Sequence, residues 1–184
     1  MSVKPGFTLI ELLIVIAILA ILSTAVVLVL NPAELLKQGR DSTRISDLAA
    51  LNNATALLIV DVINLSWVSS TRCTAASSSF PGGLSGACQT PSTSSAVNGS
   101  GWVNLSFTST SIGSPLPKLP TDPVPNSTTY FYAFKASTTL GKYKYYGNME
   151  SIKFSSGGTA DVESNIDDGG IVNDWYELGS DQTL

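Results

Sequence analysis

Glu11 is the only charged residue between Phe7 and Leu30. An ionised carboxylate at mid-membrane depth is costly unless it has a partner, so its presence there asks for one. A second concentration of chemistry lies at the other end, where Asp161, Glu163, Asp167, Asp168, Asp174, Glu177 and Asp181 follow one another within a short span. Oxygen-rich segments can take calcium, which wants about six to eight oxygen ligands, and Asp161, Asp167, Asp168 and Asp174 are the candidates. The spacing is not that of an EF-hand: Asp167-Asp168-Gly169-Gly170 lacks alternating acidic positions and a closing Glu. A solvated acidic loop is the plain alternative, and no cofactor other than calcium is expected.

Hydrolytic chemistry finds little support. The chain has no histidine, which removes Ser-His and Cys-His catalysis and the commonest zinc ligand. Gly83-Leu84-Ser85-Gly86-Ala87 misses the G-x-S-x-G pattern at its last position. A glycosidase needs only a carboxylate pair, but nothing marks one, and no enzyme is expected. Cys73 and Cys88 are not at metal-ligand spacing. If the domain is exported they can close one disulfide, worth about 3 kcal/mol by the chain-entropy model; two unpaired thiols are the alternative. With ten Lys and Arg against fourteen Asp and Glu, no basic face points to nucleic acid.

The elements that must position these groups begin with an apolar helix. Residues 7–30, at about 1.5 Å per residue, reach about 36 Å, enough to cross a hydrocarbon core of about 30 Å. The block is too long for the apolar part of a signal peptide, and no Ala-x-Ala site follows it. An ordinary anchor leaves Glu11 unexplained. Cleavage between Gly6 and Phe7 explains it: Phe7 gains a charged amine, Glu11 lies one helical turn further on, and the carboxylate of one subunit neutralises the amine of the next. The buried charge then sets axial register between packed helices.

Lys4-Pro5-Gly6 followed by Phe7-Thr8-Leu9-Ile10-Glu11-Leu12-Leu13 resembles the processing motif of type IV pilins and pseudopilins. The resemblance runs from Lys4 to about Leu22. It implies removal of residues 1–6 by a membrane prepilin peptidase and N-methylation of Phe7. It also implies engagement with an inner-membrane assembly platform and polymerisation of identical copies through the helix. The expected course is from a single-pass precursor in the cytoplasmic membrane to an extracellular pilus filament, serving adhesion, motility or DNA uptake. A periplasmic pseudopilus of a type II secretion system is the alternative. A further alternative is an uncleaved, membrane-tethered binding module.

Beyond the membrane block, Asn31-Pro32-Ala33-Glu34 reads as a helix restart, with Asn31 as cap and Pro32 at the first helical position. Pro32 also breaks the preceding helix. Residues 31–66 continue as an amphipathic helix whose stripe is Ile45, Leu48, Leu51, Thr55, Leu58, Val62 and Leu65. Asp41 and Arg44 fall off that stripe and pair across one turn for a few tenths of a kcal/mol. Residues 73–117 contain no charged residue; the span 67–117 is expected to be an ordered, loop-rich, Ser/Thr-rich insertion. Gly101 to Thr108 reads as a strand. Residues 118–184 carry the antiparallel sheet, with strands at 130–135 and 142–147, a possible extension at 152–154, and a return at Trp175 to Leu178. Lys118 to Pro123 is similar to the Asp-Pro segment before the aromatic strand of major pseudopilins. Those pseudopilins bind calcium in loops of the carboxyl-terminal region, though their ligands do not align residue by residue with this chain. The expected fold is α+β and pilin-like: one long helix, membrane-spanning in its first half, packed on a small sheet by its second.

Overall fold

The computed structural model describes residues 6–63, 65, 69–75, 88, 90–91, 93–138, 141–164, 168–181 and 184. The leader residues before Gly6, the Gly83 to Ala87 motif and Asp167 lie outside them. The chain divides into two units, Met1–Leu36 and Lys37–Leu184.

The first unit is built on α1, Leu9–Leu30. Its side chains are exposed all round, with Leu9, Ile10, Leu13, Ile16 and Leu19 each more than half accessible. Leu9–Val27 is long and apolar enough to cross a membrane. Ser23 and Thr24 turn their hydroxyls back onto the carbonyls of Leu19 and Ala20, at 2.7 and 2.9 Å, so neither presents an unsatisfied donor to hydrocarbon. The helix stops at Asn31, which adopts left-handed backbone angles (φ 40°, ψ 75°). Asn31 thus terminates α1, and its carbonyl also accepts from the N–H groups of Glu34 and Leu35, at 2.9 and 3.3 Å. The next helix, α2, runs Pro32–Asp61. Pro32 fits its first turn because the missing N–H has no carbonyl to reach there.

The second unit is α2 from Lys37 onward, packed on a sheet. β1 is Ser70–Cys73, β2 Thr90–Pro91, β3 Tyr132–Ala136, β4 Tyr143–Gly147 and β5 Tyr176–Gly179, in the spatial order β2-β1-β3-β4-β5. β1, β3, β4 and β5 form an antiparallel ladder, with Arg72 opposite Phe134, Phe134 opposite Tyr145 and Tyr145 opposite Leu178. The two-residue β2 adds to β1 in parallel. The molecule is therefore α+β.

Alternation along the strands makes two cores. Tyr132, Phe134, Ala136, Tyr143 and Tyr145 face Leu48, Leu51, Ala54 and Leu58 of α2. Burying an aliphatic side chain of this size contributes about 1.5–3 kcal/mol. The hydroxyls of Tyr132, Tyr143 and Tyr145 find partners on the helix. Tyr132 donates to Asp47 Oδ2 at 2.9 Å, Tyr143 to Asn52 Oδ1 at 2.8 Å, and Tyr145 meets Thr55 Oγ1 at 2.6 Å. The opposite face gathers Cys73, Ala75, Cys88, Phe131, Ala133, Tyr146, Val172 and Trp175. Cys73 and Cys88 are disulfide-bonded, with Cα atoms 5.6 Å apart, and fasten the end of β1 to the chain entering β2.

Gly101 to Thr108 is not a strand. It bends around the core and ends in a 3-10 turn at Phe107–Ser109. Val103, Leu105 and Phe107 are buried all the same. Their backbone bonds go to a neighbouring loop, with Trp102 N–H on Ser94 O and Phe107 N–H on Val97 O. Gly101 permits this: a Cβ there would lie 2.2 Å from the Ala96 carbonyl oxygen. Trp102 is fully buried and donates from Nε1 to Pro120 O at 2.9 Å. The extension at Ile152 to Phe154 is a turn, with Ile152 exposed and Ser155 N–H on Ser151 O. β1 had no expectation in the sequence, since Ser70-Thr71-Arg72-Cys73 is short and mostly polar.

Candidate processing and assembly site

Gly6 and Phe7 are exposed and non-helical, immediately before α1. Thr8 caps the helix. Its Oγ1 accepts from Glu11 N–H at 3.3 Å, while Glu11 Oε2 accepts from Thr8 N–H at 2.8 Å and from Thr8 Oγ1 at 2.7 Å. This reciprocal capping box satisfies donors at a helix start that would otherwise lack intrahelical partners. Within one chain, Glu11 is therefore already seated by Thr8 through Oε2, and its side chain remains exposed. Thr8 was missed as a functional residue, although Thr8-Leu9-Ile10-Glu11 has the T-x-x-E spacing that reveals such a cap.

A second concentration of charge lies within the second unit and was misread from the sequence. Asp41 and Arg44 are fully buried, not a surface pair. Counting back from Leu48 by four and seven residues lands on both, so they sit on the packed face of α2. Arg44 grips Asp122 with Nε on Oδ2 at 2.7 Å and Nη2 on Oδ1 at 2.9 Å, and donates from Nη1 to Asp41 Oδ1 at 2.6 Å. Its guanidinium lies 5.0 Å from the Tyr130 ring centre. Arg40 pairs with Glu150, its Nε 2.7 Å from Oε2. Asp41 also accepts from the N–H groups of Glu150 and Ser151, and Asp122 from that of Val124. Burial alone would lower the Arg44 pKa; the hydrogen bonds and charges of Asp122 and Asp41 more than offset it and hold it raised. The cluster ties α2, the Asp122-Pro123 turn and the segment after β4 into one body.

Near it, Glu163 is buried, and among the described residues it forms no salt bridge. Burial pushes its carboxyl from 4.5 up to about 7, against the N–H donors of Met149 and Ser156 and with the charges of Asp174 and Asp41. A carboxyl raised in the folded state binds its proton more tightly there, so its contribution to stability is complete below about pH 4.5 and is lost as pH rises to about 7. Burial raises Asp47, Asp168 and Glu177 in the same direction, so a variant is needed to isolate Glu163. Glu163→Gln, which mimics the protonated form, is expected to remove on the order of 2–3 kcal/mol of the loss between about pH 5 and pH 8. Chemical denaturation of both chains at the two pH values measures this; equal losses would refute it.

Of the carboxyl-terminal candidates, Asp161 and Asp168 are held by backbone donors. Asp161 Oδ1 accepts from Glu163 and Ser164 N–H, and its Oδ2 from Gly157 N–H, at 2.7 to 3.0 Å. Asp168 Oδ1 accepts from Gly170 N–H and Oδ2 from Glu177 N–H, at 2.7 and 2.8 Å. Asp174 contributes its carbonyl to Asn148 Nδ2. Among the described residues, no three Asp, Glu, Cys or His side chains gather as a metal would require.

An exposed apolar helix with a charged, capped start, followed along the chain by a compact α+β unit, fits a membrane-anchored precursor with a pilin-like fold. Residues 1–27 match the family model of the prokaryotic N-terminal methylation motif. The chain thus carries the prepilin-type signal of type IV pilins and pseudopilins, which implies processing by prepilin peptidase and assembly into filaments. No curated protein and no solved structure matches the chain significantly.

Proposed function

We propose that this chain is a structural subunit of a type IV pilus. The precursor sits in the cytoplasmic membrane through α1, is cut between Gly6 and Phe7, is methylated on Phe7, and polymerises with copies of itself on an inner-membrane assembly platform. The methylation motif at residues 1–27 carries this reading, supported by an apolar helix exposed along its whole length. The uncharged segment 73–117 and the buried disulfide favour a subunit displayed on an extracellular fibre. The Asp122-Pro123 turn locked on Arg44 favours the second reading, a pseudopilin of a type II secretion system.

Intact mass of the chain, from membranes and from sheared fibres of cells with an active prepilin peptidase, tests the first reading. The expected species lacks its first six residues and carries one methyl group on Phe7. Recovery of full-length chain alone would favour an uncleaved tethered module instead. Long surface fibres at native expression, labelled by antibody to the second unit, separate pilus from pseudopilus.

A further inference from the structure

Beneath the carboxyl-terminal acidic segment lies a buried lysine. Strand alternation sends Lys144 of β4 to the sheet face opposite α2, beside Tyr146, and Glu177 of β5 to the same face. Both side chains are wholly inaccessible, and Lys144 Nζ donates to Glu177 Oε1 at 3.3 Å. The other carboxylate oxygen, Oε2, accepts from the N–H groups of Ile171 and Val172 at 2.5 and 3.2 Å. The segment is wrapped tightly on this carboxylate: a Cβ on Gly170 would lie 1.5 Å from Oε2. Asp168 holds the backbone N–H groups of Gly170 and Glu177, and the Lys144 charge acts on Asp168 as well as on Glu177.

We propose that Lys144 is the internal cation that organises the acidic segment around residues 168–177, so that this segment keeps its fold without a divalent metal. A calcium ion would supply positive charge and draw carboxylates and carbonyl oxygens around it. Here an ammonium built into the sheet supplies the charge, and backbone N–H groups complete the coordination of the carboxylates. Glu177 is the hinge of the arrangement, touching the lysine with one oxygen and the segment with the other. The proposal concerns the second unit alone and holds equally for a pilus subunit or a pseudopilin.

Thermal denaturation of the full-length chain in detergent tests it. With about 1 mM calcium, a concentration that fills extracellular calcium modules, or with excess chelator, the wild-type midpoint is expected to be the same. A rise of several degrees with calcium would overturn the proposal. Lys144→Met in chelator is expected to lower the midpoint by roughly 10 °C, because it leaves Glu177 buried and uncompensated. Lys144→Met combined with Glu177→Gln, which removes both charges, is expected to recover more than half of that loss. If Lys144→Met melts like wild type, or if the double variant is no better than the single, the lysine is not the organising charge. Should Lys144→Met fail to fold, the calcium comparison on the wild type and the double variant still decide.

Discussion

Arg44→Met lowers the stability of the second unit by about 3–5 kcal/mol, the expected cost of removing one partner from a buried ionic cluster. At roughly 2–4 °C per kcal/mol for a domain of this size, the midpoint of thermal denaturation falls by about 10 °C or more. Methionine nearly fills the space, so the loss is electrostatic. Asp122 loses the bidentate grip that fills both its oxygens, Asp41 loses its cation, and Glu150 keeps only Arg40. Arg44→Lys is expected to recover a minor part, because an ammonium offers a point charge where a planar fork is needed for Asp122 and Asp41 together. Denaturation of the full-length chain in detergent, followed by circular dichroism, measures both variants. A midpoint for Arg44→Met within about 2 °C of wild type, under 1 kcal/mol on the same scale, would show that the cluster contributes no net stability.

Glu11→Ala is expected to leave membrane insertion intact and to reduce fibre yield more than tenfold. Insertion depends on the apolar run from Leu9 to Val27, from which the substitution removes the one charge. Assembly, under the proposed function, depends on the carboxylate meeting the Phe7 amine of a neighbouring copy. The capping box adds a second role for the same side chain, and two variants separate them. Glu11→Gln retains the reach to Thr8 N–H, since glutamine serves at this capping position, but carries no charge. Thr8→Val keeps the charge and removes the hydroxyl that caps the helix, at a cost of about 1 kcal/mol. Charge pairing is supported if Glu11→Gln assembles as poorly as Glu11→Ala while Thr8→Val still forms fibres. Wild-type fibre yield from Glu11→Gln would reduce the residue to a helix cap. Sheared-fibre yield against total membrane-bound chain is the measurement.

The amino-terminal end was legible residue by residue. A helix in an apolar solvent makes its hydrogen bonds within itself, so its length, its stop at Asn31 and Pro32, and the isolation of Glu11 all follow from local sequence. The capping box was equally local and simply went unread. The aromatic strands β3 and β4 were also visible, because Tyr130 to Ala136 and Tyr143 to Gly147 combine high β-propensity with clear boundaries.

What the tertiary structure alone decided concerns groups whose meaning depends on partners far along the chain. Asp41 and Arg44 look like a solvated pair until Asp122, 78 residues from Arg44, and the N–H of Glu150, 109 residues from Asp41, close over them. Gly101 to Thr108 has the alternation of a strand, yet its N–H groups go to the loop around Ser94 to Val97. At the acidic end, the oxygens of Asp161 and Asp168 are held by backbone N–H groups, and those of Glu177 by N–H groups and Lys144, partners that the spacing does not announce. Sequence alone therefore set the membrane helix, the processing signal and the α+β order of elements, because those rest on short-range hydrogen bonding and hydrophobic period. Where each buried charge finds its counter-charge is a long-range pairing, and it is fixed only when packing brings α2, the Asp122 turn and the two faces of the sheet together.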